Sequence, residues 1–295
     1  MFALLRRSGR KPAPAYSRRA RLSLEALESR YCLSAPSLTL SAQTSPGHVA
    51  NLSGSLIPNP DGHSGGVANC TICFSGAATG STITDGQGHY TYCTTTATLG
   101  QVTASGSDDA GNQANTAPAF IYVSPPQLTL KMSYGTQGSI ILSGSVTDLD
   151  PANRTVTLSG AVNTSVVTQS GGCFSLTAKP SQFGAISATT TDLWGLTSNT
   201  ATVQFNPDFP TISSFKATPS WGNLWTFTGT VSSPEAPGLV VQIGGFPALN
   251  VQATVQQDHS FTVSAYIGAG QSGMATASTT DWWGEQSNQA TYYVD

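Results

Sequence analysis

Five cysteines and four histidines are the residues of this 295-residue chain best suited to metal or redox chemistry. Cys70-Thr71-Ile72-Cys73 forms a single Cys-x-x-Cys, with Cys93 further along. Structural zinc takes four ligands, supplied by two such pairs or by one pair and two spaced histidines. His48, His63 and His89 fall in the same stretch and leave a mixed site open. A redox pair belongs between a strand and a helix, and that context is lacking. A disulfide is open to these thiols only in an oxidising compartment. Cys173 stands alone and is expected to be free and partly buried. Cys32 follows a basic stretch, not the apolar one that lipid modification would require.

Oxygen ligands are equally sparse. Asp148, Asp150 and Asp192 are the candidates for calcium, which takes about 6–8 oxygens. Three scattered aspartates are a thin set, and solvated loops explain them as well. The expectation is no cofactor, with calcium as the alternative. No Gly-x-Ser-x-Gly elbow, phosphate loop or paired-carboxylate segment occurs, and each histidine sits in a turn or loop phrase. The chain therefore reads as a non-enzyme. Trp221, Trp225, Trp282 and Trp283 cluster in the last third as a candidate contact surface, since aromatic residues are enriched at binding hot spots. Core packing is expected to claim at least two of the four.

The elements that carry these residues come in triplicate. Asp108 to Asn115, Asp192 to Asn199 and Asp281 to Asn288 share the pattern Asp-x-x-Gly-x-x-small-Asn, with aspartates 84 and 89 residues apart. Leu52-Ser53-Gly54-Ser55-Leu56 recurs as Leu142-Ser143-Gly144-Ser145-Val146 and Phe227-Thr228-Gly229-Thr230-Val231, with glycines 90 and 85 residues apart. Between them lie Gly88-His89-Tyr90, Gly172-Cys173-Phe174 and Asp258-His259-Ser260-Phe261. A fixed period decides architecture. The units are expected at 36–124, 125–206 and 207–295, behind a leader at 1–35.

The middle copy shows what each unit is made of. Leu128, Leu130 and Met132 alternate with polar residues; so do Ile140, Leu142 and Val146, then Phe174, Leu176 and Ala178. Ile186 and Ala188, then Ala201, Val203 and Phe205, mark the last strands. Period-two alternation with frequent turn residues and no helical periodicity predicts six or seven strands in a small antiparallel β-sandwich. Two such sheets facing each other bury the alternating residues as one core. Gly111, Gly195 and Gly284 are expected to supply positive φ in a turn before the last strand. Asp108, Asp192 and Asp281 are expected to accept backbone N–H groups there. Asn115, Asn199 and Asn288 are expected to bridge to a neighbouring loop, and Trp194 and Trp283 to cover the end of the sandwich.

On these phrases, residues 36–295 resemble tandem bacterial immunoglobulin-like domains, which commonly end in Thr-x-Asp-x-x-Gly-Asn-x-Ser. Such domains often also carry an Asp-Gly-x-Phe/Tyr turn and strand, matched by Gly88-His89-Tyr90 and its counterparts; there copy two lacks the aspartate before Gly171-Gly172, and copy three has Asp258 but lacks the glycine. The resemblance implies an all-β chain of three immunoglobulin-like antiparallel sandwiches. It implies no particular binding residue. Arg18 to Ala35 resembles the N-terminal motif of planctomycete surface and secreted proteins, a Leu-Glu-x-Arg core followed by Leu-Leu-Leu-Ser-Ala. Here Ala26-Leu27-Glu28-Ser29 intervenes before Arg30, and Tyr31-Cys32 replaces two leucines. That resemblance implies export. In an exported chain Cys93 is expected to pair with Cys70 or Cys73, leaving one thiol over.

Charge supports this division. Charged residues make up 9% of the chain, far below the roughly 25% usual in soluble domains. The leader carries net +6 and the remainder net −9. The repeats therefore lack a nucleic-acid footprint, and the leader is expected to be disordered or short-helical. No stretch approaches the ~18 apolar residues of a membrane span. The function expected is a monomeric, extracellular or cell-surface adhesion module or spacer. Its partner would be a surface protein or polysaccharide. The alternative is a carbohydrate-binding module using the aromatics of the third unit.

Overall fold

A computed structural model describes residues 35–58, 67–108, 110–116, 118–247 and 249–295. Almost all of the basic leader with its export motif and Cys32, and most of the insertion with His63, lie outside the described residues.

The described strands form three sandwiches. The first contains β1 (Ser37–Leu38), β2 (Ser41–Ser45), β3 (Val49–Ile57), β4 (Thr71–Gly76), β5 (Gly80–Ile83), β6 (His89–Thr95), β7 (Gly100–Gly106), β8 (Asn115–Thr116) and β9 (Ala119–Ile121). The second contains β10 (Gln127–Tyr134), β11 (Ile140–Thr147), β12 (Thr155–Gly160), β13 (Thr164–Val167), β14 (Cys173–Ala178), β15 (Gly184–Thr190) and β16 (Ala201–Phe205). The third contains β17 (Thr211–Pro219), β18 (Leu224–Ser232), β19 (Val240–Gly244), β20 (Val251–Thr254), β21 (Ser260–Tyr266), β22 (Gly273–Thr279) and β23 (Ala290–Val294).

Connectivity repeats with the sequence. One sheet of each unit joins the first, second and fifth strands of the common set: β2-β3-β6, β10-β11-β14 and β17-β18-β21. The facing sheet is β5-β4-β7-β9, β13-β12-β15-β16 or β20-β19-β22-β23. Every named pairing is antiparallel except β1 with β8. This is an all-β chain of antiparallel sandwiches, as the period-two alternation predicts, with the immunoglobulin-like architecture that the family resemblance implies.

Each unit has its own core. Leu52, Ile72, Tyr90 and Val102 fill the first, Ile140, Leu142, Val156 and Ile186 the second, and Phe227, Val241, Ile243 and Phe261 the third. Each fully buried large apolar side chain contributes on the order of 1.5–3 kcal/mol.

Two of the repeated phrases prove to be halves of one contact. Gly54, Gly144 and Gly229 lie directly opposite Tyr90, Phe174 and Phe261 on the neighbouring strand. A Cβ on Gly144 would sit 2.7 Å from Phe174 Cζ and 2.0 Å from the Thr129 carbonyl. Only a glycine lets the ring lie flat against the backbone at that point.

Candidate functional site

The Asp-x-x-Gly phrases form the tight turns that precede the last strand of each unit. Bridges Ser107↔Gln113, Thr191↔Thr197 and Thr280↔Gln286 close them. Gly111, Gly195 and Gly284 have φ of 83°, 81° and 93°, the left-handed region open to glycine. Asp192 Oδ1 accepts the Leu196 N–H at 2.7 Å, and Asp281 Oδ1 accepts those of Trp283 and Glu285, both at 2.9 Å. Asp108 accepts the backbone N–H of Asn112 at 2.8 Å and its side-chain amide at 3.0 Å. The Asn112 amide, ahead of the backbone donors, holds the Asp108 carboxyl below its usual value.

The asparagines closing the second and third phrases do not reach a neighbouring loop. Asn199 clamps Leu128, accepting its N–H at 2.8 Å and donating to its carbonyl at 3.0 Å. Asn288 holds Ile212 in the same way, at 2.7 and 3.1 Å. Each amide ties the end of its unit to that unit's own first strand.

The tryptophans of these turns do cover the end of a sandwich, but it is the end of the preceding one. Trp194 packs on the first core and Trp283 on the second. His48, in the β2–β3 turn, lies 4.7 Å from the Trp194 ring, and its Nε2 donates to the Leu193 carbonyl at 2.7 Å. The Gly47 N–H donates to Asp150 at 2.9 Å across the same junction. At the second junction Trp283 meets Tyr134 and Phe205, each with ring centres 5.5 Å away. Its Nε1 donates to the Gly138 carbonyl at 3.0 Å. A cleft of about 420 Å³ remains beside it, between Lys179, Phe183, Phe205 and Trp282. Burial first, then the negative charge of Asp208, raises the Tyr134 phenol above its ordinary value.

The four tryptophans of the expected contact surface are therefore not brought together. Trp282 and Trp283 stand at the end of the third unit that faces the second, where Trp282 donates to the Glu235 carbonyl at 3.0 Å. Trp221 and Trp225 belong to the opposite end, beside the β17–β18 turn. Trp225 packs against the third core, whereas Trp221 is 96% exposed.

The cysteines are also kept apart. Cys70 is buried, with Sγ 3.7 Å from the Ala68 carbonyl. Cys73 and Cys93 carry free, solvent-facing thiols on opposite sheets of the first unit. Cys173 is exposed, not partly buried, because its place in β14 points outward. Among the described residues no three His, Cys, Asp or Glu side chains gather as a metal site. Asp150 is engaged with Gly47 and Asp192 with its own turn.

The role of Trp194 and Trp283 between units had one signal in the sequence. The equivalent position in the first copy is Ala110, so the aromatic residue occurs only in the two copies that follow another.

Among the described residues no helix is long and apolar enough to cross a membrane. No protein-family model matches the chain, and no curated protein matches it. Among solved structures it is similar to a region of a 1.5-MDa bacterial ice-binding adhesin, with 16% identity, 88% of this chain and 96% of that chain covered, and a TM-score of 0.29. A Ca²⁺-stabilised adhesin of an Antarctic bacterium gives 15% identity, 88% and 74% coverage, and a TM-score of 0.30. The fibronectin FN1–FN3 domains of chicken CNTN1 give 8% identity, 88% and 99% coverage, and a TM-score of 0.26. At such loose superposition these likenesses say nothing of role.

Proposed function

We propose that the protein is an exported, non-catalytic spacer or adhesion module at a bacterial cell surface. The observation that carries this reading is the pair of junctions in which Trp194 and Trp283 lock one sandwich to the next. A tandem chain with packed junctions transmits position and load from one end to the other. Flexibly linked units would carry tension but would not hold a fixed reach. The outward faces add hydroxyl pairs such as Thr129–Ser145 and Ser187–Thr202 in place of charges, which suits a surface exposed to variable salt, since hydroxyl contacts are not screened. Export rests on the leader motif and fixes no anchoring mode.

Fractionation of native cells with N-terminal sequencing of the recovered protein tests the reading. A surface or medium fraction, with the product starting beyond the basic leader, is expected. Recovery from the cytoplasm with Arg6 to Arg30 intact would refute it.

A further inference from the structure

Every unit presents one end built from the same pieces: the hairpin joining its first two common strands, the loop after its fifth, and the tip of its last. In the first two units the following unit's Asp-x-Trp-Gly turn covers that end. In the third unit the pieces are present and nothing among the described residues covers them. Gly222 and Asn223 have φ of 72° and 63°, where the corresponding Gln137 and Gly138 of the second unit have 55° and 77°. The hairpin, the Ile267–Ser272 loop and Asp295 line a cleft of about 420 Å³. Trp221, next in the chain to Ser220 of this cleft, is 96% exposed.

The walls differ in their side chains. With Gly144 aligned on Gly229, Pro219 and Val294 stand where the second unit has Tyr134 and Phe205, and Trp225 stands where it has Ile140. The aromatic surface of the third end is supplied by Trp225 instead.

We propose that this end of the third unit is a socket for the Asp-x-Trp-Gly turn of a further immunoglobulin-like sandwich. The chain makes this interface twice at equivalent positions, and the third end continues the series. A second copy of this chain is not the occupant. Its Trp194 and Trp283 are seated in its own junctions, and its remaining turn presents Ala110. The proposal does not depend on where the protein resides.

The test appends a second copy of residues 207–295 behind Asp295 of the full chain. Asp295 follows β23 as Asn206 follows β16, so the spacing between units is preserved. Hydrogen exchange of amides 220–223 and 267–272 is compared with that in the parent chain. The expected result is a slowing of at least about tenfold, the equivalent of ~1.4 kcal/mol of docking. Replacing the tryptophan that corresponds to Trp283 by alanine in the appended copy alone should abolish the slowing. Unchanged exchange at those amides, whether or not the appended unit folds, overturns the proposal. The parent chain should sediment as a monomer at all concentrations. Association that Trp221→Ser abolishes would overturn the choice of occupant.

Discussion

The indole Nε1 of Trp283 donates a hydrogen bond to the backbone carbonyl of Gly138, tying the third unit to the second across 145 residues. The ring also completes an aromatic cluster with Tyr134 and Phe205 of the second unit. The second core is therefore finished by a residue it does not contain. Trp→Ala changes in cores cost about 3–5 kcal/mol; for this partly exposed ring the loss should be about 2–3 kcal/mol. Trp283→Ala is expected to lower the melting of the second unit more than that of the third, as unit-resolved hydrogen exchange would show. Loss confined to the third unit would mean that the ring serves only its own turn.

The two junction tryptophans should respond differently to phenylalanine. Trp194 Nε1 is buried with no partner among the described residues, whereas Trp283 Nε1 is satisfied. Trp283→Phe removes a hydrogen bond worth about 0.5–1.5 kcal/mol net and leaves the Gly138 carbonyl without its donor. Trp194→Phe removes an unmet donor instead. Urea midpoints should fall for Trp283→Phe and change little, or rise, for Trp194→Phe. The reverse order would place an ordered water on the Trp194 indole.

Gly138 and Gly47 share the same φ of 77° but not the same surroundings. A Cβ on Gly138 would lie 2.8 Å from the Trp282 Cβ, while one on Gly47 meets nothing within 4 Å. Alanine at either position bears left-handed strain of roughly 1–2 kcal/mol. Only Gly138→Ala should also push the second and third sandwiches apart. Acrylamide quenching of tryptophan fluorescence is expected to rise in Gly138→Ala and stay near the parent value in Gly47→Ala.

Gly144→Ala tests the contact between β11 and β14. Its Cβ would sit 2.0 Å from a backbone carbonyl that cannot move without breaking the β10 pairing. The loss should exceed about 2 kcal/mol, near the upper range for overpacking, and unfold the second unit first. A shift within experimental error in chemical denaturation would show that β10 yields freely.

The strands and the two-sheet architecture were legible because alternation such as Ile140, Leu142 and Val146 is a local property of the sequence. That Gly144 faces Phe174 was not, because register depends on how the intervening loops close. The turn role of Asp192 and Gly195 was also legible, since an Asx turn is made by neighbours in the chain. Which sandwich Trp194 would cover was not, because its receptor, His48, lies in the preceding unit. The supposed contact surface failed to converge for a related reason. Trp225 and Trp282 belong to one unit, yet β-sandwich topology sends their turns to opposite ends.

Tyr90 predicts an alkaline limit for the first unit. Burial raises its phenol from the usual value of 10.0 to about 12, and its hydroxyl donates to the Thr39 carbonyl, which a phenolate cannot do. The neutral form is thus favoured by folding, and the unfolded chain loses that proton first. Stability from this group is fully present below pH 10, falls as pH rises between 10 and about 12, and is gone above. Tyr90→Phe should be somewhat less stable at pH 7, where a hydrogen bond has been removed. It should lose less stability than the parent between pH 10 and 12. Denaturation of the two proteins at pH 8, 10 and 11.5 would show the curves converging. Parallel curves would mean that Tyr90 ionises in the folded protein as it does in the unfolded chain.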